Sequence, residues 1–453
     1  WDHIFKNKHN FQLIYDFSNY NFEEANKQLN WAAYKSDYNL LHNELRAHFT
    51  LRPHEKHNIS FGVNGILYNL DRGQHLPLND SSSVVPVNLG TEKGIESGIY
   101  IDEEWNINPV FAITGGIRLN YYTYLGPQDV YEYVPNSPYL IENIIDTHFS
   151  NNQAIKSHIN PDFRLAAKYI LNPNLSVKAS FSQLHQYIFM LSNTIAMSPT
   201  DKWKLSDKYI EPMRGTQYSV GVFSNFFKNA LELSVEAYYK KVANLVEYKD
   251  GVDLLVTEVV ETEVLQGDLD AYGIEFMLKK PSGKLNGWLN YTYSSSNVLV
   301  QGETDITSIN FGKKYPANYD KPHAFNLVVN YKLSRRLSFS GNVVYSTGRP
   351  ITYPTAIYYQ DGTQITYYSG RNEYRLPDYF RLDLAINLEG NLKKNKLLHG
   401  SWSLSVYNVT GRRNAYSVYF KTENGNIKGY ILSIFGAPIV SLTYNFKLGN
   451  YDD

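Results

Sequence analysis

Residues 438–446 read Pro-Ile-Val-Ser-Leu-Thr-Tyr-Asn-Phe. Side chains along an extended chain alternate between two faces with period 2. Val440, Leu442, Tyr444 and Phe446 therefore share one face, and Ser441, Thr443 and Asn445 share the other. One face is greasy and the other wet. An aromatic-ended strand of this kind close to a C-terminus fits the closing strand of an outer-membrane β-barrel. In that reading Tyr444 and Phe446 serve barrel assembly and the lower aromatic girdle.

The same alternation recurs upstream. Phe325, Leu327, Val329, Tyr331 and Leu333 alternate with Asn326, Val328, Asn330 and Lys332. Phe380, Leu382, Leu384, Ile386 and Leu388 alternate with Tyr379, Arg381, Asp383, Ala385 and Asn387. Leu231, Leu233, Val235, Ala237 and Tyr239 oppose Glu232, Ser234, Glu236 and Lys240. About 16 such strands are expected, centred near residues 15, 45, 63, 101, 116, 165, 181, 222, 239, 274, 290, 328, 341, 384, 408 and 442. Each is read as roughly 9–14 residues, enough at about 3.3 Å per residue to cross an apolar slab with a tilt. The expected fold class is all-β, a transmembrane antiparallel β-barrel, with residues 1–453 forming one barrel portion.

The connections are sorted by length. Short turns are expected at 52–56, 106–109, 172–174, 228–230, 280–284 and 334–336. Long segments are expected at about 125–159, 190–215, 248–268, 298–320, 349–377 and 421–437. Short turns on the periplasmic side and long loops outside are the outer-membrane pattern. Ionisable residues inside the strands, such as Glu232, Glu236, Glu275, Lys279, Arg381 and Asp383, fall on the polar face. A Lys or Arg facing lipid at the midplane would cost about 2–4 kcal/mol, so the polar face should line a wide lumen. Barrels of about 16 strands or more leave a channel that is open or plugged.

Composition agrees with this pattern without deciding it. The chain has 453 residues, 39 tyrosines and a net charge of −1. Tyrosine, with an apolar body and a polar tip, suits the two membrane interfaces; it equally suits a glycan-binding β protein. The balanced charge gives no support for nucleic acid as a partner. The absence of cysteine removes disulfides, thiolate zinc sites and cysteine nucleophiles. No run of 18 apolar residues marks a transmembrane helix. The chain begins at Trp1 with no signal peptide, so an exported protein is expected to carry further residues upstream.

Nothing in the sequence reads as an enzyme site. There is no phosphate loop, no His-Glu-x-x-His helix and no Gly-x-Ser-x-Gly elbow. No cofactor is expected. His3 with His9, or His54 with His57, could touch a metal, although solvated turns explain them more simply. Paired carboxylates Glu103 and Glu104 read as lumen or loop charges.

The richest candidate for ligand recognition is the 349–377 loop. It carries Tyr353, Tyr358, Tyr359, Gln360, Asp361, Tyr367, Tyr368, Arg371, Tyr374 and Arg375. Tyr and Arg give large contact area and oriented hydrogen bonds at low entropic cost. The competing reading is an aromatic interface girdle beside a self-packed loop. The 190–215 segment, with Lys202 and Trp203, is a second candidate.

Several stretches carry a family likeness. Residues 231–248, Leu-Glu-Leu-Ser-Val-Glu-Ala-Tyr-Tyr-Lys-Lys-Val-Ala-Asn-Leu-Val-Glu-Tyr, and residues 271–280 followed by 283–293, form one set. Tyr319-Asp-Lys-Pro-His-Ala-Phe-Asn326, Ser346-Thr-Gly-Arg-Pro350 and Tyr407-Asn-Val-Thr-Gly-Arg-Arg-Asn414 form another. In order and spacing these resemble the C-terminal barrel of TonB-dependent outer-membrane receptors of the Bacteroidetes type, most clearly from about residue 217 to 448. The resemblance implies a 22-stranded barrel with an N-terminal plug, of which this chain would supply the last 16 strands. No segment here reads as a plug or TonB box. It also implies active nutrient uptake at the outer membrane of a Gram-negative bacterium. The implied partners are the TonB-ExbB-ExbD complex, the bilayer with its lipopolysaccharide, an unidentified nutrient and a surface lipoprotein. A complete 16-stranded passive porin and a barrel that scaffolds an assembly or secretion complex are the alternatives.

Overall fold

The computed structural model describes residues 1–5, 9–27, 29–191, 202–249, 252, 257–360, 363–390, 398–423 and 426–448. Among the described residues sixteen long strands form one sheet. They are β1 (His9–Asn26), β2 (Tyr34–His54), β3 (His57–Asp71), β4 (Thr91–Asn108), β5 (Phe111–Leu125), β6 (Ala154–Asn172), β7 (Leu175–Gln186) and β8 (Met213–Phe226). Then follow β9 (Leu231–Tyr248), β10 (Val264–Lys280), β11 (Leu285–Leu299), β12 (His323–Lys332), β13 (Leu337–Ser346), β14 (Tyr379–Glu389), β15 (Leu398–Tyr407) and β16 (Ile439–Leu448). Each pairs antiparallel with the next in a continuous meander. A short strand, Asp2–Phe5, pairs with the start of β1. Among the described residues β16 pairs only with β15, so the strand expected to close a barrel is a sheet edge here.

The burial pattern is inverted relative to a water-soluble sheet. Val63, Ile99 and Ile159 are 50%, 60% and 67% exposed, whereas Glu44 and Asp162 are 7% and 6% exposed. The register puts Val63 opposite Ile99, and Ile99 opposite Leu119, building a continuous apolar outer face. Such a face is stable only against lipid; in water it would be a large exposed apolar patch. The polar side chains line the concave side.

The connections sort by end as the sequence implies. Two-residue turns join β2 to β3, β4 to β5 and β6 to β7. At the opposite end lie the long connections 72–90, 126–153, 187–212, 249–263, 300–322, 347–378 and 408–438. Several carry hairpins of their own: Gln128–Tyr133 with Ile144–Ser150, Pro354–Gln360 with Thr363–Tyr368, and Ser417–Glu423 with Asn426–Leu432.

Three details depart from the sequence reading. The strand expected around residue 408 runs over Leu398–Tyr407. Asn408 instead starts the outer connection, with φ of 52°, and its side-chain amide donates to the carbonyls of Arg412 and Phe435. Strands are also longer than expected, up to 21 residues in β2, because pairing continues beyond the apolar slab into the outer end. Finally, the 72–90 connection is a long outer segment that the alternation pattern did not reveal.

Candidate ligand site at the barrel mouth

The concave face of the first half of the sheet carries a chain of polar contacts. Arg46 donates to Glu44 Oε1 from Nε and Nη2 at 3.1 and 2.7 Å, and Asn64 Nδ2 donates to the same oxygen at 3.1 Å. Arg118 donates to Asn64 Oδ1 at 2.6 Å. Asn120 Nδ2 donates to Asp162 Oδ2 at 2.8 Å, and His185 Nδ1 lies 2.7 Å from Asp162 Oδ1. Gly98, on the intervening β4, leaves the room this needs: a Cβ there would stand 2.3 Å from Arg118 Nη2. Buried polar groups must be partnered, and here the partners run from β2 to β7.

Above this ladder the 187–212 connection folds inward. Its hairpin, Ile188–Leu191 paired with Lys202–Leu205, lies against β3, β4 and β5. Leu205 packs with Ile66, Leu70, Tyr122, Tyr124 and Tyr187. Lys204 Nζ sits 3.0 Å from Glu92 Oε1 and 2.5 Å from Asp207 Oδ2. The Leu205 amide donates to Glu92 Oε2 at 2.9 Å, and Asp207 Oδ1 receives the amides of Tyr209 and Ile210 at 2.8 Å each. Burial pushes the Lys204 ammonium down, but Asp207 and Glu92 outweigh it and hold its pKa above that of an ordinary lysine. Lys202 is buried too, its ammonium 5.0 Å from the Tyr38 ring centroid.

Two cavities open at this end. The first, about 470 Å³, is lined by Arg72, Glu92, Tyr124, Lys204, Asp207 and Glu261 among others. Burial, then the nearby Asp207, raises the Glu261 pKa; Tyr133 donates its hydroxyl to Glu261 at 3.2 Å. Arg72 donates to the carbonyls of Thr257 and Glu258 at 2.6 and 2.8 Å, tying the 72–90 and 249–263 connections together across the concavity. The second cavity, about 410 Å³, is bounded by Lys321, Arg349, Tyr379, Arg381, Tyr407 and Tyr416 among others. Both volumes lie in the range of small-molecule sites.

The tyrosine-rich loop divides into two parts. Tyr358, Tyr359, Tyr367 and Tyr368 stand on the Pro354–Gln360 and Thr363–Tyr368 hairpin and are all exposed, Tyr359 at 68%. Tyr353 and Tyr374 sit at its base, 5.7 Å apart between ring centroids, and Tyr353 also meets Phe420 edge-on at 5.0 Å. Of the two arginines, Arg371 is buried and Arg375 is exposed, yet both are held by carboxylates. Arg371 is 7% exposed, 3.3 Å from Glu247, over the Tyr248 ring at 4.2 Å, and donates to the Tyr248 carbonyl at 3.2 Å. Arg375 lies 2.5 Å from Asp320 and donates to the carbonyls of Asp320 and Gly348 at 3.1 Å each. They brace the loop against β9 and the 300–322 connection. Asp361 lies outside the described residues, as does the side chain of Gln360.

A family model for the TonB-dependent receptor-like β-barrel matches residues 1–409. The chain belongs to that family. As a TonB-dependent receptor barrel it resides in the outer membrane of a Gram-negative bacterium, and its family is one of receptors, not of enzymes. The fold agrees with solved receptors at low identity. The ferric-catecholate import receptor Fiu of E. coli K12, closed form, gives a TM-score of 0.61 at 16% identity, covering 98% of this chain and 62% of that one. The ferric yersiniabactin uptake receptor FyuA of Yersinia pestis gives 0.60 at 14%, covering 98% and 59%. The ferripyoverdine receptor of Pseudomonas aeruginosa gives 0.57 at 14%, covering 97% and 53%. The chain thus spans roughly 53–62% of these receptors' length. No curated protein sequence matches it.

Other sequence candidates find plain structural places in this receptor barrel. His57 Nδ1 is 2.7 Å from Glu103 and stacks on Trp105. Glu232 pairs with Lys279 at 3.1 Å. Among the described residues no group of three His, Asp or Glu side chains is placed to hold a metal ion. Tyr444 and Phe446 are exposed on the edge strand, and Tyr444 packs on Trp402 with centroids 4.7 Å apart. The Lys204–Glu92–Asp207 cluster escaped the sequence reading. Its only local signal was a Lys flanked by Trp203 and Leu205 in a segment otherwise read as loop.

Proposed function

We propose that this chain forms the barrel of a TonB-dependent active importer of the Bacteroidetes type, whose long outer connections capture a nutrient for uptake through the lumen. The family match over residues 1–409 carries this reading. It is supported by the gathering of hairpins and cavities at the long-connection end. The Bacteroidetes type rests on the stretches 231–248, 319–326, 346–350 and 407–414. In this reading the exposed Tyr358, Tyr359, Tyr367 and Tyr368 contact ligand, with Tyr353 and Tyr374 supporting them. Arg371 acts by fixing the loop on β9.

Transport of this kind needs a plug and a TonB-contacting segment from outside residues 1–453. The TonB-ExbB-ExbD complex supplies the energy, lipopolysaccharide surrounds the outer rim, and a surface lipoprotein is a fitting partner for the exposed hairpins. The test is growth of a strain carrying this receptor on candidate nutrients, with and without TonB. Uptake that disappears in the TonB deletion supports the proposal. Uptake that persists supports a passive porin. Absence of any uptake defect on deleting the receptor, with a stoichiometric protein partner on purification, supports a scaffold.

A further inference from the structure

The second cavity has an unusual charge balance. Lys321, Arg349 and Arg381 line it, and among the described residues no Asp or Glu does. Arg381 is answered by Asp383 at 2.9 Å, and its guanidinium donates to the hydroxyls of Tyr379 and Tyr407 at 3.1 and 3.0 Å. Lys321 and Arg349 have no such answer among the described residues. The nearby carboxylates are committed elsewhere. Asp320 takes Arg375 and the Ser296 amide at 2.8 Å. Asp378 takes the Gly348 amide at 3.0 Å and the Tyr345 hydroxyl at 2.7 Å.

Two like charges held at one cavity are unfavourable unless something of opposite sign joins them. The backbone enforces the approach. The Leu376 amide donates to the Arg349 carbonyl at 2.9 Å, and the Thr347 amide to the His323 carbonyl at 2.9 Å. The first closes the two ends of the 347–378 connection on each other, and the second holds its start beside the start of β12. Burial, then the charge of Arg349, lowers the Lys321 pKa from the ordinary lysine value.

We propose that this cavity binds an oxyanion-bearing solute, its carboxylate or phosphate seated between Lys321 and Arg349 and its body against Tyr379, Tyr407 and Tyr416. Polar Ser346, Thr347, Asn408 and Asn414 in the same wall offer partners for hydroxyls. Register places the cavity on the lumen side: Ser346 is opposite Tyr379, on the face carrying Arg381 and Asp383, whereas Leu384 and Ile386 face outward. A soluble anion therefore reaches it, and a phospholipid headgroup outside the barrel does not. The inference rests on the receptor reading for its physiological meaning, but binding needs neither TonB nor a plug.

The test is titration calorimetry of the detergent-solubilised full-length protein, freed of lipopolysaccharide, with inorganic phosphate and with citrate. Lys321→Gln and Arg349→Gln should each weaken binding about tenfold or more, because a charge-assisted contact is lost. Lys321→Arg and Arg349→Lys should each bind more tightly than the corresponding Gln variant, since charge is retained. Lys284→Gln, at the opposite end of the sheet, should bind as the unaltered protein does. Should neither anion bind the unaltered protein, or should all variants bind alike, the inference falls. TonB-dependent uptake without anion binding would overturn the inference and leave the receptor reading standing. Anion binding with TonB-independent uptake would do the reverse.

Discussion

The Lys204 ammonium stands 3.0 Å from the Glu92 carboxylate, joining an outer connection to β4 inside the mouth. Both side chains are almost wholly buried, at 3% and 4% exposure, and Asp207 completes the cluster. Removing Lys204 would take away the ammonium that the two carboxylates share, leaving Glu92 with Arg72 at 3.8 Å and Asp207 without its buried ion pair in a low-dielectric site. Breaking one partner of a buried pair costs about 3–5 kcal/mol. Lys204→Met is therefore expected to release the 187–212 connection from the lumen. Hydrogen exchange of the Leu205, Tyr209 and Ile210 amides, which bond to these carboxylates, should accelerate strongly while the β9 and β10 amides stay protected. Unchanged protection at Leu205 would refute the anchoring role.

Gly400 is fitted to Tyr444. A Cβ at position 400 would lie 2.0 Å from Tyr444 Oη and 2.5 Å from Cζ, so the ring occupies the space a side chain would need. Gly400→Ala should force the ring off, at a cost of about 1–3 kcal/mol for overpacking. The observable is a lower yield of folded, heat-modifiable barrel on a detergent gel. Tyr444→Ala in the same background should recover part of that yield by removing the clash. Full yield for Gly400→Ala alone would show that Tyr444 does not need this space.

The four exposed hairpin tyrosines should separate binding from stability. Surface substitutions away from packed features usually change stability by no more than about 0.5 kcal/mol. Combined replacement of Tyr358, Tyr359, Tyr367 and Tyr368 by Ala should leave barrel yield and melting unchanged while lowering nutrient capture at least tenfold. By contrast Arg371→Ala, which removes the ion pair with Glu247, should loosen the loop. Normal uptake by the four-tyrosine variant would assign these rings to the interface girdle instead.

Asp378 gives a pH signature. The Gly348 amide, then the Tyr345 hydroxyl, and more weakly the charge of Arg412, hold its pKa below the usual carboxylate range. A folded-state pKa below the unfolded one means stability that is present above the ordinary aspartate value and lost as pH falls through the folded value. Protection of the Gly348 amide should therefore persist through mildly acidic pH and decline only at strongly acidic pH. Asp378→Asn should remove that acid transition. An acid transition that survives in Asp378→Asn would place its origin in another carboxylate.

Sequence alone determined the strand pattern. Period-2 alternation marks which residues face lipid, because an apolar face and a polar face cannot exchange without moving every side chain to the wrong solvent. Fifteen of the expected strand centres fall inside observed long strands, and the short turns at 109–110, 173–174, 227–230 and 281–284 carry Pro, Asn or Gly, whereas those at 55–56 and 333–336 carry none of them. The exception, near residue 408, lies where alternation runs on in type although Asn408 leaves the strand with a positive φ. Sequence also located the tyrosine-rich loop. Tertiary structure alone decided which of its residues are available: Arg371 and Arg375 find carboxylates 124 and 55 residues away, a distance no local pattern encodes. The same holds for Lys204 with Glu92, and for Lys321 and Arg349, whose meeting at a cavity without a carboxylate is set by how the outer connections fold over the sheet. Local alternation is fixed by solvent on the two faces, whereas long-range charge pairing depends on where loops of irregular backbone come to rest.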